Sequence, residues 1–426
     1  MKKISLIICF VLVFMAVRAQ KVKNEDLIYD ENIHTVLFHK MGDQLLPPVI
    51  RLGTNDRLSL SFDDMSDDSY LFRYTIIHCD YQWNTTTSLE PNEYIDGFLE
   101  GQIENYAFSV NAIPPYIHYR LTFPNPDMNV KLSGNYILKV YLDEPTDENV
   151  IFTRRFFVIE PLSRVDVRIP YYPKNLEFTR KKQQIDLTIT LPILFNDEPI
   201  ERTNVVIQQN GRWDNAKIGV KATSVSSNTL GFDYQNGIVF NGGNQFRHFD
   251  MSSFWYQSMY IKQIINEADG YRVILHTSYP RESKPYETEP DLNGHRVIQA
   301  RKGQNSSTEG EYAWVDFWLK MPKIQNAAVY ILGQLNDWQL DGNSLMIYDT
   351  KLRAYHGALY LKQGYYDYIY AVLPDGKSRA NVTPIEGDHW ETDNDYTIYL
   401  YYRQRVPEYD RLVGYRKLNT KELERP

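Results

Sequence analysis

Cysteine is scarce. The 426 residues hold two, Cys9 and Cys79, too few for an internal disulfide framework. Cys79 closes the alternating apolar run Phe72 to Cys79, so a buried, inert thiol is expected there. Long apolar runs are also missing. The one candidate, Ile4 to Val17, is shorter than the about 20 residues that cross a bilayer as a helix. It follows Lys2 and Lys3 and precedes Val17-Arg18-Ala19, so residues 1–19 read as a secretory signal peptide cleaved before Gln20. Cys9 lies inside the run and not at the cleavage point, which argues against a lipid anchor. Basic blocks are absent as well. The chain has 46 Lys and Arg against 54 Asp and Glu, a net charge of −8 that becomes −11 once Lys2, Lys3 and Arg18 are removed. That balance argues against nucleic acid and anionic lipid surfaces as partners. A soluble protein exported beyond the inner membrane, with no membrane insertion and monomeric when free, is the expectation.

Catalytic signatures are missing too. There is no G-x-S-x-G elbow, no H-E-x-x-H and no P-loop. The nine histidines are scattered, none at helical metal-ligand spacing. Asp63-Asp64 with Asp67-Asp68, and Asp393 with Asp395, lack EF-hand spacing and read as solvated turns. Asn125, Asp127 and Asn129 alternate with Pro124 and Pro126, as in a plain turn. No spacing selects a carboxylate pair for glycoside hydrolysis. The expectation is a protein that is not an enzyme, with no catalytic residue, no cofactor and no metal.

What the chain has is period-two alternation and 33 tyrosines, which suit half-buried pleated surfaces. An all-β protein of three serial Ig-like or early-set-like β-sandwich modules is predicted, after the cleaved signal peptide. Residues 20–160 form the N-terminal sandwich, with Leu58 to Phe62, Phe72 to Cys79 and Ile137 to Leu142 as strands. Residues 161–305 form a middle β-rich domain that includes Ile185 to Leu191 and Arg272 to His276. Residues 306–403 form the C-terminal sandwich, opening on Trp314 to Leu319, and residues 404–426 a charged, weakly docked tail. Gly134, Gly270 and Gly364 each stand shortly before a Tyr-led strand, a repeat consistent with three related modules in series or with chance among β-rich segments.

In the third block, Val329 to Gly333, Asn336 and Trp338, then Gly364 and Pro374-Asp375-Gly376, resemble the glycogen-binding-type sandwich. Trp338 matches that family's sugar-stacking Trp. Lys377 and Ser378 stand where its second Trp is expected, and Ile369 stands where it has a Lys. The likeness implies the fold without the sugar site. A periplasmic or surface carbohydrate-binding accessory protein remains the alternative function.

The stretch Phe232 to Phe254 is neither a plain strand nor a solvated loop. Asn241-Gly242-Gly243-Asn244 tolerates a sharp backbone turn. Phe246, Arg247, His248, Phe249 and Asp250 then crowd aromatics and charges together, with Trp255 and Tyr256 close behind. Two readings stand. The aromatics pack between sheets with Arg247 and Asp250 paired at an edge, or Phe246, Arg247, His248, Phe249 and Trp255 anchor a partner, since Arg and aromatics are enriched at interface hot spots.

A series of segments is similar to the plug protein family of the type IX secretion system of Bacteroidota. They are Ile77-His78-Cys79-Asp80 with Trp83, Glu93-Tyr94 with Gly97-Phe98, and Ser133-Gly134-Asn135-Tyr136. Gly242-Gly243-Asn244 with Phe246 to Asp250, and Asp291-Leu292-Asn293-Gly294, complete it. The resemblance implies a periplasmic, non-enzymatic protein that associates peripherally with the large outer-membrane translocon barrel and closes its inner mouth when no cargo occupies it. It carries over no catalytic residues.

Overall fold

A computed structural model describes residues 21–422 except 67, 196 and 302. The predicted signal peptide, residues 1–19, lies outside the described residues, as does the end of the predicted tail. Regular structure is nearly all strand, and the helices Pro91–Tyr94, Pro199–Arg202 and Thr383–Glu386 are single turns. No helix among the described residues is long and apolar enough to cross a membrane. The predicted all-β class holds.

Three large hydrophobic cores, with smaller clusters between them, organise the described residues. The first lies between two sheets. One runs Leu27–Ile28, Val150–Ile159, Gly134–Tyr141, Arg73–Cys79, Gly101–Gln102, and the other Ile33–Lys40, Leu58–Asp64, Ile117–Phe123, Asn105–Phe108. In Leu58–Asp64 the alternation works as read: Leu58, Leu60 and Phe62 point inward, while Ser59 and Ser61 are half-exposed. Strand Gly134–Tyr141 is buried at every position. Its Tyr136, Leu138 and Val140 face the first core, while Ile137 packs on the other side against Val206, Tyr399, Tyr401 and Leu412. A strand covered on both faces loses the apolar–polar alternation of a surface strand.

The second core lies between a sheet containing Arg164–Arg168, Lys182–Thr190, Thr229–Gly231 and Ser224–Ser226 and a sheet running Lys217–Val220, Thr203–Gln209, Asp395–Gln404, Tyr409–Asn419. The third is enclosed by a nine-stranded sheet from Arg247–Asp250 through Gly364–Pro374 to Gly270–Leu275 and Ile261–Glu267.

The strands do not stay within serial blocks. Arg247–Asp250, Ile261–Glu267, Gly270–Leu275 and Arg296–Ile298 fall in the block read as 161–305, yet they hydrogen-bond into the third unit's sheet. Asp395–Gln404, read as the end of the third module, pairs with Thr203–Gln209 in the middle unit. The charged stretch after residue 404 is no loosely docked tail up to residue 419. Tyr409–Asn419 pairs along the whole of Asp395–Gln404 and buries Tyr409, Leu412, Val413 and Leu418. Charged neighbours such as Asp410, Arg411 and Arg416 hide those apolar positions in a compositional reading. The glycine-led strands correct likewise: Gly270–Leu275 and Gly364–Pro374 share one sheet, so the repeat is not one per module.

The units interlock through buried polar contacts. Asp63 of the first unit accepts from Lys362 Nζ at 2.7 Å and Tyr312 Oη at 2.6 Å in the third, and from His118 Nδ1 at 2.6 Å. Burial raises the Asp63 pKa, but Lys362 and His118 outweigh it and hold the carboxyl below its usual value. Asp63 is therefore no solvated turn residue. Arg154 reaches Asp337 at 2.8 Å, Tyr401 Oη donates to Asn135 at 2.8 Å, and Arg411 pairs with Glu160 at 2.6 Å.

Candidate functional site

The stretch singled out above begins with a turn whose two glycines serve different ends. Gly243 has φ +67°, in the left-handed region that favours glycine. Gly242 has ordinary φ, but a Cβ there would sit 2.0 Å from the carbonyl oxygen of His389. The turn crosses from the middle unit into the third, where Arg247–Asp250 joins the edge of strand Gly364–Pro374.

Four of the five residues proposed as partner anchors have their partners inside the molecule. Phe249 is fully buried, stacked on Tyr366 at 5.3 Å and edge-on to Phe317 at 5.8 Å. Phe246 is buried against Trp338 and Leu332. Arg247 Nε donates to Glu386 Oε1 at 3.0 Å, and Arg281 Nη2 reaches Glu386 Oε2 at 2.7 Å. Burial raises the Glu386 pKa, yet the two guanidiniums and the Tyr370 N–H at 2.9 Å hold it below the usual value. His248 stacks on Tyr365 at 5.3 Å and meets Tyr260 edge-on at 4.8 Å, and burial lowers its pKa. The expected Arg247–Asp250 pairing gives way to Arg247–Glu386, a partner 139 residues away. Phe246, Arg247, His248 and Phe249 fasten the third unit together, as the between-sheets reading has it, and leave little area for a partner.

Trp255 differs: it is 80 % exposed, with Tyr256 at 64 % and Met259 at 73 %. These three lie on the loop joining Arg247–Asp250 to the edge strand Ile261–Glu267. Phe254 roots the loop by packing on Tyr271 at 4.4 Å, and the Ser258 hydroxyl donates to the Asp250 carbonyl at 2.6 Å. The Arg301 guanidinium lies 5.8 Å from the Trp255 ring. Trp255, Tyr256 and Met259 thus make an exposed apolar patch on a rooted loop beside the edge strand Ile261–Glu267. Neither Tyr256 nor Met259 carries a local sequence signal that separates exposed from packed.

A larger cleft of ≈ 560 Å³ lies where all three units meet. Arg155 is held there between the Trp83 and Trp213 rings, 4.8 Å from each centroid. Trp338 turns into the same junction, with Arg212 5.0 Å from its ring and Asp337 beside it bound by Arg154. The Trp that resembles a sugar platform is half-buried inside the molecule, and Ile369 is buried. Among the described residues no group of three or more His, Cys, Asp or Glu could hold a metal ion. Cys79 is buried and its thiol pKa is pushed up by burial, as expected of an inert cysteine.

A family model described as the type 9 secretion system plug protein 1st domain matches residues 33–160. The chain is similar to a hypothetical protein from Parabacteroides merdae whose crystal structure was solved at 2.30 Å. Identity is 30%, the match covers 94% of this chain and 100% of that one, and the TM-score is 0.89. An alkylpurine DNA glycosylase from Pseudomonas fluorescens shares 13% identity over 30% of each chain with a TM-score of 0.17, too distant to inform the fold. No curated protein matches. The first unit's matched sandwich, and an interlocked body similar to the Parabacteroides protein over nearly its whole length, agree with the series of segments read in the sequence: the chain belongs to the type IX secretion system plug family.

Proposed function

We propose that this protein is a non-enzymatic periplasmic subunit that closes the inner mouth of the outer-membrane translocon barrel when no cargo occupies it. The family match over residues 33–160 carries this reading. Physical support comes from the way the units are joined. A plug must present rigid bulk to a wide opening, and here buried charge pairs and a two-faced strand tie three cores into one body. Association is peripheral, through protein contacts, and the free protein is a monomer. The loop bearing Trp255, Tyr256 and Met259 is the docking surface, its aromatic side chains being the kind that dominate interface energies.

Affinity purification of the tagged protein from cell envelopes, with and without blocked secretion, tests the reading. A very large outer-membrane barrel protein should accompany the parent chain. Trp255→Ala should melt like the parent and lose that partner. Normal vancomycin sensitivity in a deletion strain that still makes the translocon refutes plugging.

A further inference from the structure

A pocket of ≈ 410 Å³ opens where the middle and third units meet, beside the Gly242-Gly243 turn. Four basic side chains line it, Lys182, Arg212, Lys217 and Arg379, against one carboxylate, Glu386. The carboxylate is already engaged, bound by Arg247 and Arg281. Arg212 is engaged too, gripping Asp214 through two bonds of 3.0 and 2.6 Å. The other three cations have no ion pair among the described residues. Lys182 Nζ lies 4.2 Å from the Phe178 ring and Lys217 Nζ 5.5 Å from the Phe240 ring, contacts that leave their donors open. The carboxylates whose fields they feel have other partners: Asp388 accepts from the Gly243 N–H and the Thr383 hydroxyl, and Asp214 sits in the Arg212 fork. Burial, then repulsion from Arg379 and Lys182, lowers the pKa of Lys217.

In a chain of net charge −8, three unpaired cations converging on a recess run against the overall balance. Their mutual repulsion is relieved by an anion held between them. A guanidinium fork matches a tetrahedral oxyanion in two-point geometry, and ammonium groups supply charge without directional demand. Side-chain amides of Asn215, Asn244 and Asn381 on the same walls can add neutral donors. The volume falls in the range of small-molecule sites.

We propose that this pocket binds a phosphate-type dianion carried by a small soluble molecule, held by Lys182 and Lys217 of the middle unit and Arg379 of the third. The bound anion bridges two units already joined here by the 242–244 turn, the Asn241–Thr383 hydrogen bond and the Arg212–Trp338 contact, and adds to their stability by mass action.

Calorimetric titration of the whole mature chain with inorganic phosphate and with glycerol 1-phosphate, at ionic strength held constant with chloride, tests the site. Saturable binding in the sub-millimolar range and a melting temperature that rises with phosphate are expected. Lys217→Gln and Arg379→Gln should each weaken binding by about tenfold, while melting in chloride confirms that each is folded. Arg379 is exposed, so Arg379→Glu provides a folded variant with reversed charge, and it should abolish binding. No saturation by about 20 mM phosphate, a Kd far weaker than any such site needs, overturns the proposal. So does equal affinity for the parent and Arg379→Glu. Sedimentation with phosphatidic acid vesicles that glycerol 1-phosphate fails to displace overturns the soluble source of the anion.

Discussion

Replacing Lys362 with Met tests how the first and third units are held together. The Asp63 carboxylate and the Lys362 ammonium are both buried at 1 % side-chain exposure, 2.7 Å apart, in strands from different units. Breaking a buried pair by removing one partner leaves an uncompensated charge and costs about 3–5 kcal/mol. At about 1–2 °C per kcal/mol for one body of about 400 residues, the melting temperature should fall by about 3–10 °C. The pH dependence separates this from lost packing. In the parent, Asp63 is depressed in the folded state, so its contribution is present above the unfolded carboxylate pKa and is lost as pH falls through the folded one. In Lys362→Met the main cation is gone and burial dominates, so the Asp63 pKa rises. The penalty should therefore be largest near pH 8 and shrink toward pH 4–5, where the carboxyl protonates. Asp63→Asn removes the carboxylate's titration, so any pH dependence of the Lys362→Met cost that remains in that background belongs to the Lys362 ammonium, whose pKa burial lowers. Scanning calorimetry at several pH values reads all of this. A cost below about 1 kcal/mol, or one that does not change with pH, refutes the reasoning.

Phe249→Ala should lower stability by about 3–5 kcal/mol in chemical denaturation, because a fully buried ring leaves a cavity between Tyr366 and Phe317. Gly294→Ala places a Cβ 2.5 Å from the Trp338 ring and 2.7 Å from the Phe246 ring at φ +85°, so a loss of about 1–3 kcal/mol on melting is expected. Asp367 is buried, and desolvation followed by repulsion from Asp291 pushes its pKa up to about 8. A raised folded pKa means that stability falls as pH climbs from the unfolded value toward 8; Asp367→Asn should flatten that slope and melt higher than the parent at pH 9. Arg155→Ala empties the space between Trp83 and Trp213, and tryptophan fluorescence should report looser coupling of the first and middle units at a cost of about 1–2 kcal/mol.

Local alternation is enough to show a β protein and to place many of its strands, because Leu58 to Phe62 or Trp314 to Leu319 records a two-residue period. The sequence also carries the inert cysteine and the family, the latter through a series of short segments in order. It could not decide which strands share a sheet, since Asp395–Gln404 finds Thr203–Gln209 across about two hundred residues and no local pattern encodes a distant partner. Nor could it tell an exposed aromatic from a core one. Phe249 and Trp255 are both aromatics near charges in one short stretch, yet one lies between sheets and the other faces solvent. Asp63, read as a solvated turn, became a buried junction because Lys362, 299 residues away, is brought to it by packing of two separate units. Charge pairing at such distances is set by the three-dimensional meeting of surfaces, which no local stretch of chain encodes.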